Sequence, residues 1–443
     1  MAVHWPAVAA LLGGTHEMRK AGKSLLPQWP AEEDDAYKLR LATATLFPAL
    51  RRTLDVMSGK PFSKELTLGE DVPELIAQWC QDADRMGSSL HVVAAGLMRE
   101  ALGFGYCGLL VDMAVRPAGI SNDMAAESAA GLRPYVVPYH HNEILGWRSE
   151  AVGGRHVLTQ LRLLESAEVP DGDYGTKTVS RVRVLEPGTW ALYELDGGGN
   201  YVEIDGGATT LREIPFVPFY GRKLGFMRGV SPLLDLAHLN IKHWQSQSDQ
   251  DTIMHVARVP ILAVSGADDD LALTVGGSSA VHLPLGGDMK FVEHSGSAIA
   301  AGATSIDALE RQMIQTGAEL LTRQPGQRTA TEAANDADAN RSELQSIVES
   351  FEDGIDQVLQ FMADWAGLGE GGHCALFKDW GAFSLTDASA QLLLAMNGAG
   401  IITKETVIRE QQRRGILSPD IDAGTELALV ADEGPALGGN GGQ

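Results

Sequence analysis

The clearest pattern in the chain is a long helical stretch that is apolar in its first half and polar in its second. Ser231 is positioned to cap this helix, and Pro232 follows at the first helical position, where its missing N–H costs nothing. Residues 245–251 are all polar, and no helix breaker appears before Pro260. We predict a helix over 231–257 whose polar half cannot be buried in its own domain and needs neighbouring copies. Its apolar face comprises Val230, Leu233, Leu234, Ala237, Ile241 and Trp244.

Helical patterns also dominate the first hundred residues. Within the first of them, Pro48 predicts a kink or a break, and Gly59 is well placed to end the helix. Residues 1–35 contain three prolines and a Gly-Gly pair, so we expect this segment to be loosely structured. The predicted helices cover 36–58, 73–84 and 88–104.

Strand patterns lie between these helices and the long helix. The apolar run at 107–115 predicts a buried strand, and alternating or β-branched runs punctuated by Gly, Asp and Pro make 135–220 β-rich. The segment 214–220 holds two prolines, which predicts an edge strand or an extended connector.

A small Gly-rich β unit and further helices follow the long helix. Its strands are predicted near 260–265, 280–284 and 289–293. A helix over 298–321, a break at 322–330 and a second long helix over 332–365 come next, and the first turns of that helix lack large apolar residues. We expect the tail from Gly434 to be disordered. The remaining predicted elements are a strand at 373–378 and helices at 387–397 and 403–413.

Size and charge narrow the function. A chain of 443 residues exceeds one ordinary core, so two or more domains are expected. The net charge of −23 argues against a protein that grips DNA by neutralising phosphates. It fits either simple solubility or a passage through which DNA slides without sticking.

Motifs for catalysis or metal binding are missing from the sequence. It contains no GxxxxGK[ST], GxSxG or HExxH, and the GxGxxG string formed by Gly367, Gly369 and Gly372 follows a helix rather than a strand. His238 and His243 are five residues apart, which is not the spacing of a helical metal pair, and His140 and His141 are expected to be core or surface residues. We therefore predict a non-enzyme without cofactor or metal.

Cysteines and apolar runs indicate where the chain is made. The three cysteines are far apart and odd in number, so we expect buried thiols in a reducing cytoplasm. No apolar run is long enough to span a membrane, and no secretion signal opens the sequence. We expect synthesis in the cytosol and no membrane partner.

The order of these elements resembles that of tailed-bacteriophage portal proteins, the head–tail connectors of phages and prophages. The resemblance extends over nearly the whole chain, and the segment AYKLRLATATLFPALRRTLDVMSGKPFSK looks like the opening of a portal-like family. It implies an α+β portal fold assembled as a ring, with a mixed α/β wing, a long-helix stem, a small β clip and a short helical crown. The chain departs from larger portals in its short crown and its lack of a long C-terminal barrel helix.

The resemblance also implies domain boundaries. The two stem helices would be 231–257 and 297–321, the clip 258–296, and the tunnel loop 322–331. The wing would comprise 1–230 together with the helix and strand of 332–383. The short crown would be 384–433, before the disordered tail of 434–443.

Portal proteins form a ring, usually of twelve subunits, at one capsid vertex, where DNA enters during packaging and leaves during ejection. The resemblance thus implies a homododecamer in the virion, with double-stranded DNA passing through without sequence specificity. It implies as partners the terminase large subunit, a head–tail adaptor, and the major capsid and scaffolding proteins. Two other classes remain open: another ring-forming head–tail adaptor, and a hydrolase built on the β-rich region.

The candidate site residues follow from this resemblance. The tunnel-loop candidates that would meet DNA are Arg323, Gln324, Gln327 and Arg328, next to a Pro-Gly turn. Acidic residues at the start of the second long helix, Glu332, Asp336 and Asp338, would line the channel or compensate the helix dipole. Trp244 and Ile241 would pack between subunits in the stem.

Overall fold

Helices form the N-terminal part of the molecule, and they begin earlier than the sequence pattern predicts. The computed structural model describes residues 1–114, 131–257, 261–265, 288–292, 297–319, 342–378, 395–413, 417 and 421–432. Helices α1 (Trp5–Gly13) and α2 (Thr15–Ala21) lie in the segment expected to be loosely structured, and both contribute to the core. The expectation was wrong because Pro6 occupies the first turn of α1, where a missing N–H breaks no hydrogen bond.

The other N-terminal helices agree with the sequence pattern. The break expected at Pro48 separates α3 (Asp34–Thr43) from α4 (Ala49–Gly59). Helix α5 (Glu74–Trp79) continues into a 3-10 turn, and α6 covers Leu90–Phe104. Ser89 caps α6 by accepting the backbone N–H of Val92, and Gly105 ends it in the left-handed conformation.

Gly105 gives a first prediction. Its φ is +99°, and an added Cβ would lie 2.7 Å from the backbone Cα of Val230. Gly87 has a similar φ of +93° with nothing within 4 Å of such a Cβ. We expect Gly87→Ala to cost about 1–2 kcal/mol of unfolding free energy, which is the left-handed strain alone. Gly105→Ala should cost clearly more, as measured by urea denaturation, and equal costs would contradict the close packing at Gly105.

A three-stranded antiparallel sheet packs against these helices. Its central strand β2 (Tyr106–Met113) pairs with β3 (Pro134–Tyr139) on one side and β9 (Phe216–Tyr220) on the other. The proline-containing segment is therefore an edge strand, one of the two alternatives predicted for it. Strand β2 is buried between the helical core and a second apolar cluster, as its run of apolar residues predicts.

The β-rich region forms a five-stranded antiparallel meander. Its strands, in spatial order, are β4 (Ile144–Val152), β5 (Arg155–Asp171), β6 (Gly175–Glu186), β7 (Thr189–Leu195) and β8 (Tyr201–Ala208). One face contributes Leu161, Leu163 and Leu185 to the second apolar cluster, which also contains side chains of the three-stranded sheet. Arg183 on β6 binds Asp112 on β2 at 2.9 Å, which joins the two sheets, and it also binds Glu165 on the neighbouring strand β5 at 2.6 Å.

Three long helices complete the main core. Helices α7 (Leu234–Ala257), α8 (Ser297–Glu319) and α9 (Glu343–Ala366) all contribute buried side chains to it. Short strands extend the fold: β10 (Arg222–Gly225) pairs with β11 (Arg228–Val230), and β12 (Ile261–Ser265) pairs with β13 (Asp288–Val292). Strand β1 (Thr67–Leu68) pairs with β14 (Cys374–Ala375).

Helix α9 is shorter than predicted. Ser342 has extended backbone angles (φ −78°, ψ 157°), and a capping box joins it to Gln345, so the helix begins at Glu343 rather than 332. The end predicted near Trp365 is right, because Gly367 stops the helix in the left-handed conformation. Near the C-terminus, α10 (Lys404–Arg413) was predicted, whereas α11 (Ala423–Asp432) was not. The tail from 433 lies outside the described residues.

Candidate functional site

The candidate site is the stem, which we define as α7 and α8 with the β12–β13 strand pair. The inner end of α7 is fixed in the body of the molecule. Ser231 donates a 2.6 Å hydrogen bond to the carbonyl of Leu102 and accepts the N–H of Leu233. It lies in the turn before the helix, which begins at Leu234 rather than directly after Ser231 as predicted. Leu236 and Ala237 are fully buried in the first turn.

A buried amide joins α7 to α4. The Asn240 side chain accepts the N–H of Leu50 at 3.0 Å and donates to the carbonyl of Phe47 at 2.8 Å. The N-cap residue of α4 is Pro48, whose side chain makes no capping hydrogen bond, so Asn240 satisfies an N–H that the helix end leaves open. The long helix thus supplies the cap of a helix 190 residues away in the sequence.

The two stem helices run antiparallel and are joined by polar contacts. His243 on α7 is 3.2 Å from Glu310 on α8, and the Gln250 amide donates to the carbonyl of Ile299 at 3.0 Å. At Gly302 an added Cβ would overlap the Gln250 side chain, so the helices approach closely at this point. Ile306 and Met313 are the buried apolar side chains on the facing side of α8.

The polar half of α7 is partly covered within the chain, contrary to the prediction. Ser248 and Gln250 are both buried. Gln245 donates to the carbonyl of Leu25, and Asp249 is 3.8 Å from Arg40 on α3. The N-terminal segment and α8 therefore cover residues 245–250 without a second copy.

The outer turns of α7 remain open. Among residues 251–257 whose side chains are described, none is buried, and Ile253 and His255 are exposed. The prediction that part of this helix lacks a covering surface in its own domain therefore holds for its last two turns. Ile314 on α8 is also 70% exposed.

Trp244 does not lie where it was predicted. Its side chain is 0% exposed and belongs to the main core, so contact with another subunit would require the indole to leave the core of its own subunit. The prediction of subunit packing is corrected for Trp244. Ile241 is only partly buried against the core, and its role between subunits stays a prediction.

The outer end of the stem carries an antiparallel strand pair. Ile261 pairs with Val292 and Ser265 with Asp288, so the chain leaves α7 into β12 and returns through β13 into α8. Two of the three strands predicted for the small β unit are thus confirmed. The third, near 280–284, lies outside the described residues.

The residues predicted to face DNA all lie outside the described residues: Arg323, Gln324, Gln327, Arg328, Glu332, Asp336 and Asp338. The structure does describe the acidic residues further along α9. Glu352 accepts the N–H of Leu376 and binds Lys378 at 2.7 Å, while Asp356 accepts the N–H of Cys374. These two carboxylates hold β14 against the helix.

Histidine and cysteine side chains outside the stem have structural environments. The His141 ring lies 2.5 Å from Glu100 and stacks on Phe104, as expected for a core histidine. Although burial opposes it, hydrogen bonding to His141 lowers the pKa of Glu100. Burial raises the pKa of Cys80 to about 12, and Cys107 is also buried. No group of three or more potential metal ligands occurs in the described part of the chain.

Sequence reasoning did not identify the polar residues that hold α7 against its neighbours. Asn240, Gln250 and Arg40 contact positions far away in the sequence, and no local motif marks those contacts.

None of the helices described here is long and apolar enough to cross a membrane.

Comparison with known proteins gives a family match over the stem and α9. The model of a family described as a domain of unknown function (DUF4055) matches residues 232–366. A search of curated proteins gave no match.

Several solved structures are similar over most of the chain. A chain in the neck of an empty gene transfer agent (GTA) particle, computed with C6 symmetry, is 13% identical with a TM-score of 0.41, over 83% of this chain and 90% of that one. A chain of the native GTA virion is 12% identical with a TM-score of 0.42, over 89% and 97%. A chain of the native GTA neck, computed with C12 symmetry, is 12% identical with a TM-score of 0.40, over 81% and 88%. These structural neighbours thus come from the neck and virion of phage-like particles.

Proposed function

We propose that this protein is a portal-type subunit, which forms a ring at one vertex of a capsid and lets double-stranded DNA pass. The observation that carries the proposal is the stem. Two long antiparallel helices begin and end in the buried body, and their other ends meet a two-stranded β unit. This is the arrangement of stem and clip that the resemblance to portal proteins implies.

The exposure along the stem supports assembly. The inner half of α7 is covered by α3, α4 and the N-terminal segment, whereas its last two turns are open. Ile314, near the inner end of α8, is exposed as well. Helices in proteins gain most of their stability from packing rather than from intrinsic propensity. Neighbouring copies around a common axis would supply that packing.

Charge supports a passage rather than a tight DNA-binding surface. Twelve copies would carry twelve times −23, or −276, so a duplex inside the ring meets like charge and does not adhere. In this proposal Glu332, Asp336 and Asp338 line the channel. Arg323 and Arg328 make transient contacts with DNA phosphates, and Gln324 and Gln327 lie beside them in the same loop. No covalent chemistry is involved, and the strand-pair end of the stem is the docking site for terminase and the head–tail adaptor.

Electron microscopy of the purified full-length chain tests the proposal. We expect rings with a central hole and one rotational symmetry, because the open turns of the stem need equivalent neighbours. Mass photometry of the same sample should give a mass near twelve times 47.3 kDa. A chain that stays monomeric at high concentration would contradict the proposal.

A further inference from the structure

Strand β8 forms an open edge of the five-stranded sheet. All eight residues of Tyr201–Ala208 are exposed, on both faces of the sheet. The strand pairs with β7 on one side, and within the described residues no strand pairs with its other side. Its side chains include Tyr201, Val202 and Ile204, so the edge is apolar as well as unpaired.

Strand β4 forms the opposite edge of the same sheet. It pairs with β5 on its inner side, and Leu145 and Val152 are exposed apolar residues. Edge strands of soluble proteins are commonly protected by lysine, proline or β-bulges. Neither β4 nor β8 contains lysine or proline, although a register shift interrupts each existing pairing, at Ile144/Gly146 in β4 and at Leu192/Tyr193 opposite β8. The unpaired backbone groups of such an edge are best satisfied by another extended strand.

We propose that β8 of one copy pairs with β4 of the next copy, so that the five-stranded sheets join into one continuous sheet around the assembly. This inference rests on the proposed ring. Pairing two different edges is a head-to-tail contact, which is the kind that closes into a ring. The occupant of each edge is therefore a second copy of this chain.

Charge argues against the alternative in which β8 pairs with itself. The only charged residues of β8 are Glu203 and Asp205, so a two-fold antiparallel pair centred on Ile204 would place each acid opposite the other. Such a pair would also close as a dimer and stop further assembly. Strand β4 carries Arg148, which offers the acidic edge an opposite charge.

The number of strands fixes the direction of pairing. Because the meander has five antiparallel strands, its two edge strands run in the same direction. Copies related by the small rotation of a many-membered ring keep that direction, so β8 and the neighbouring β4 are parallel.

Charge and apolar contacts then select a register. With Tyr201 beside Ile144 of the next copy, Asp205 lies beside Arg148 and Val202 beside Leu145. Moving β8 two residues along would put Asp205 beside Glu150 instead, with like charges adjacent.

Disulfide trapping in the full-length chain tests this register. The variant Val202→Cys with Leu145→Cys should give a ladder of covalent multimers under mild oxidation, because adjacent strands lie about 5 Å apart, within disulfide reach. The matched control, Val202→Cys with Val152→Cys, displaces one thiol by seven residues, or about 23 Å, and should give no ladder. The unmodified chain controls for its own Cys80, Cys107 and Cys374.

Charge exchange gives a second readout that does not depend on thiol chemistry. Arg148→Glu should reduce the yield of rings several-fold, and adding Asp205→Arg should restore it. Rings that form without a ladder and tolerate Arg148→Glu would overturn the edge pairing while leaving the proposed function intact. If no variant and no unmodified chain forms rings, the proposed function itself fails, and this inference fails with it.

Discussion

Replacing Arg40 with methionine should lower the free energy of unfolding by about 3 kcal/mol, because the change leaves a buried carboxylate without its partner. Arg40 binds both oxygens of Glu32 at 2.7 Å, and both side chains are only 4% exposed. The guanidinium also donates to the carbonyl of Pro27 and lies 4.3 Å from the Trp29 ring. Urea denaturation of the purified chain measures the loss.

The double variant Arg40→Met with Glu32→Leu is the matched control. It removes both charges and leaves an apolar pair, so most of the lost stability should return. A single variant as stable as the unmodified chain would show that the ion pair between Arg40 and Glu32 does not stabilise the N-terminal segment.

The same pair predicts an acid dependence of stability. Hydrogen bonds from Arg40 lower the pKa of Glu32 below its usual 4.5, although burial opposes the shift. Because the folded-state pKa is lowered, the stabilisation is fully present above about pH 4.5 and is lost as the pH falls through the lowered value. Burial raises the pKa of neighbouring Asp249, which acts in the opposite sense. The contribution of Glu32 should disappear in the double variant.

Replacing Trp244 with alanine should cost about 3–5 kcal/mol, the usual penalty for emptying a large buried aromatic site. The side chain is 0% exposed and packs in the main core, so the damage falls on the single chain before any assembly. The indole Nε1 has no hydrogen-bond partner among the described residues, so the loss comes from packing alone. Thermal unfolding of the purified chain measures it.

Ile241→Ala is the natural comparison, since Ile241 lies on the same helix but is only partly buried. This variant should unfold at a temperature close to that of the unmodified chain. It should impair ring formation if Ile241 packs between subunits. A Trp244→Ala chain that folds normally but fails to form rings would restore the original assignment of the indole to a subunit contact.

Local signals in the sequence predicted the parts of the fold that depend on a few neighbouring residues. Ser89 and Gly105 bound α6, and Pro48 separates α3 from α4, because caps and breakers act within one turn. The start of α9 was predicted too early, although Ser342 and Gln345 have the spacing of a capping box. Ala, Asp and Glu before Ser342 have no apolar periodicity, and composition alone does not define a helix.

The burial of the polar half of α7 depends on residues that are distant in the sequence. Its partners are the Leu25 carbonyl and the Arg40 side chain, each about two hundred positions away in the sequence. Hydropathy along one helix cannot reveal a polar surface supplied by another segment. The stem, by contrast, was predicted correctly as two long helices flanking a small β unit, since periodicity and chain order both specify it.

The Asn240 amide has a mechanical consequence. It holds an N–H and a carbonyl at the start of α4 simultaneously, so a slide of α7 by one turn, about 5.4 Å, would break both bonds and uncap the shorter helix. A shift of the long helix along its axis is therefore coupled to α4. A displacement of the outer end of α7 along the helix axis would also displace α4, because the Asn240 side chain links the two helices.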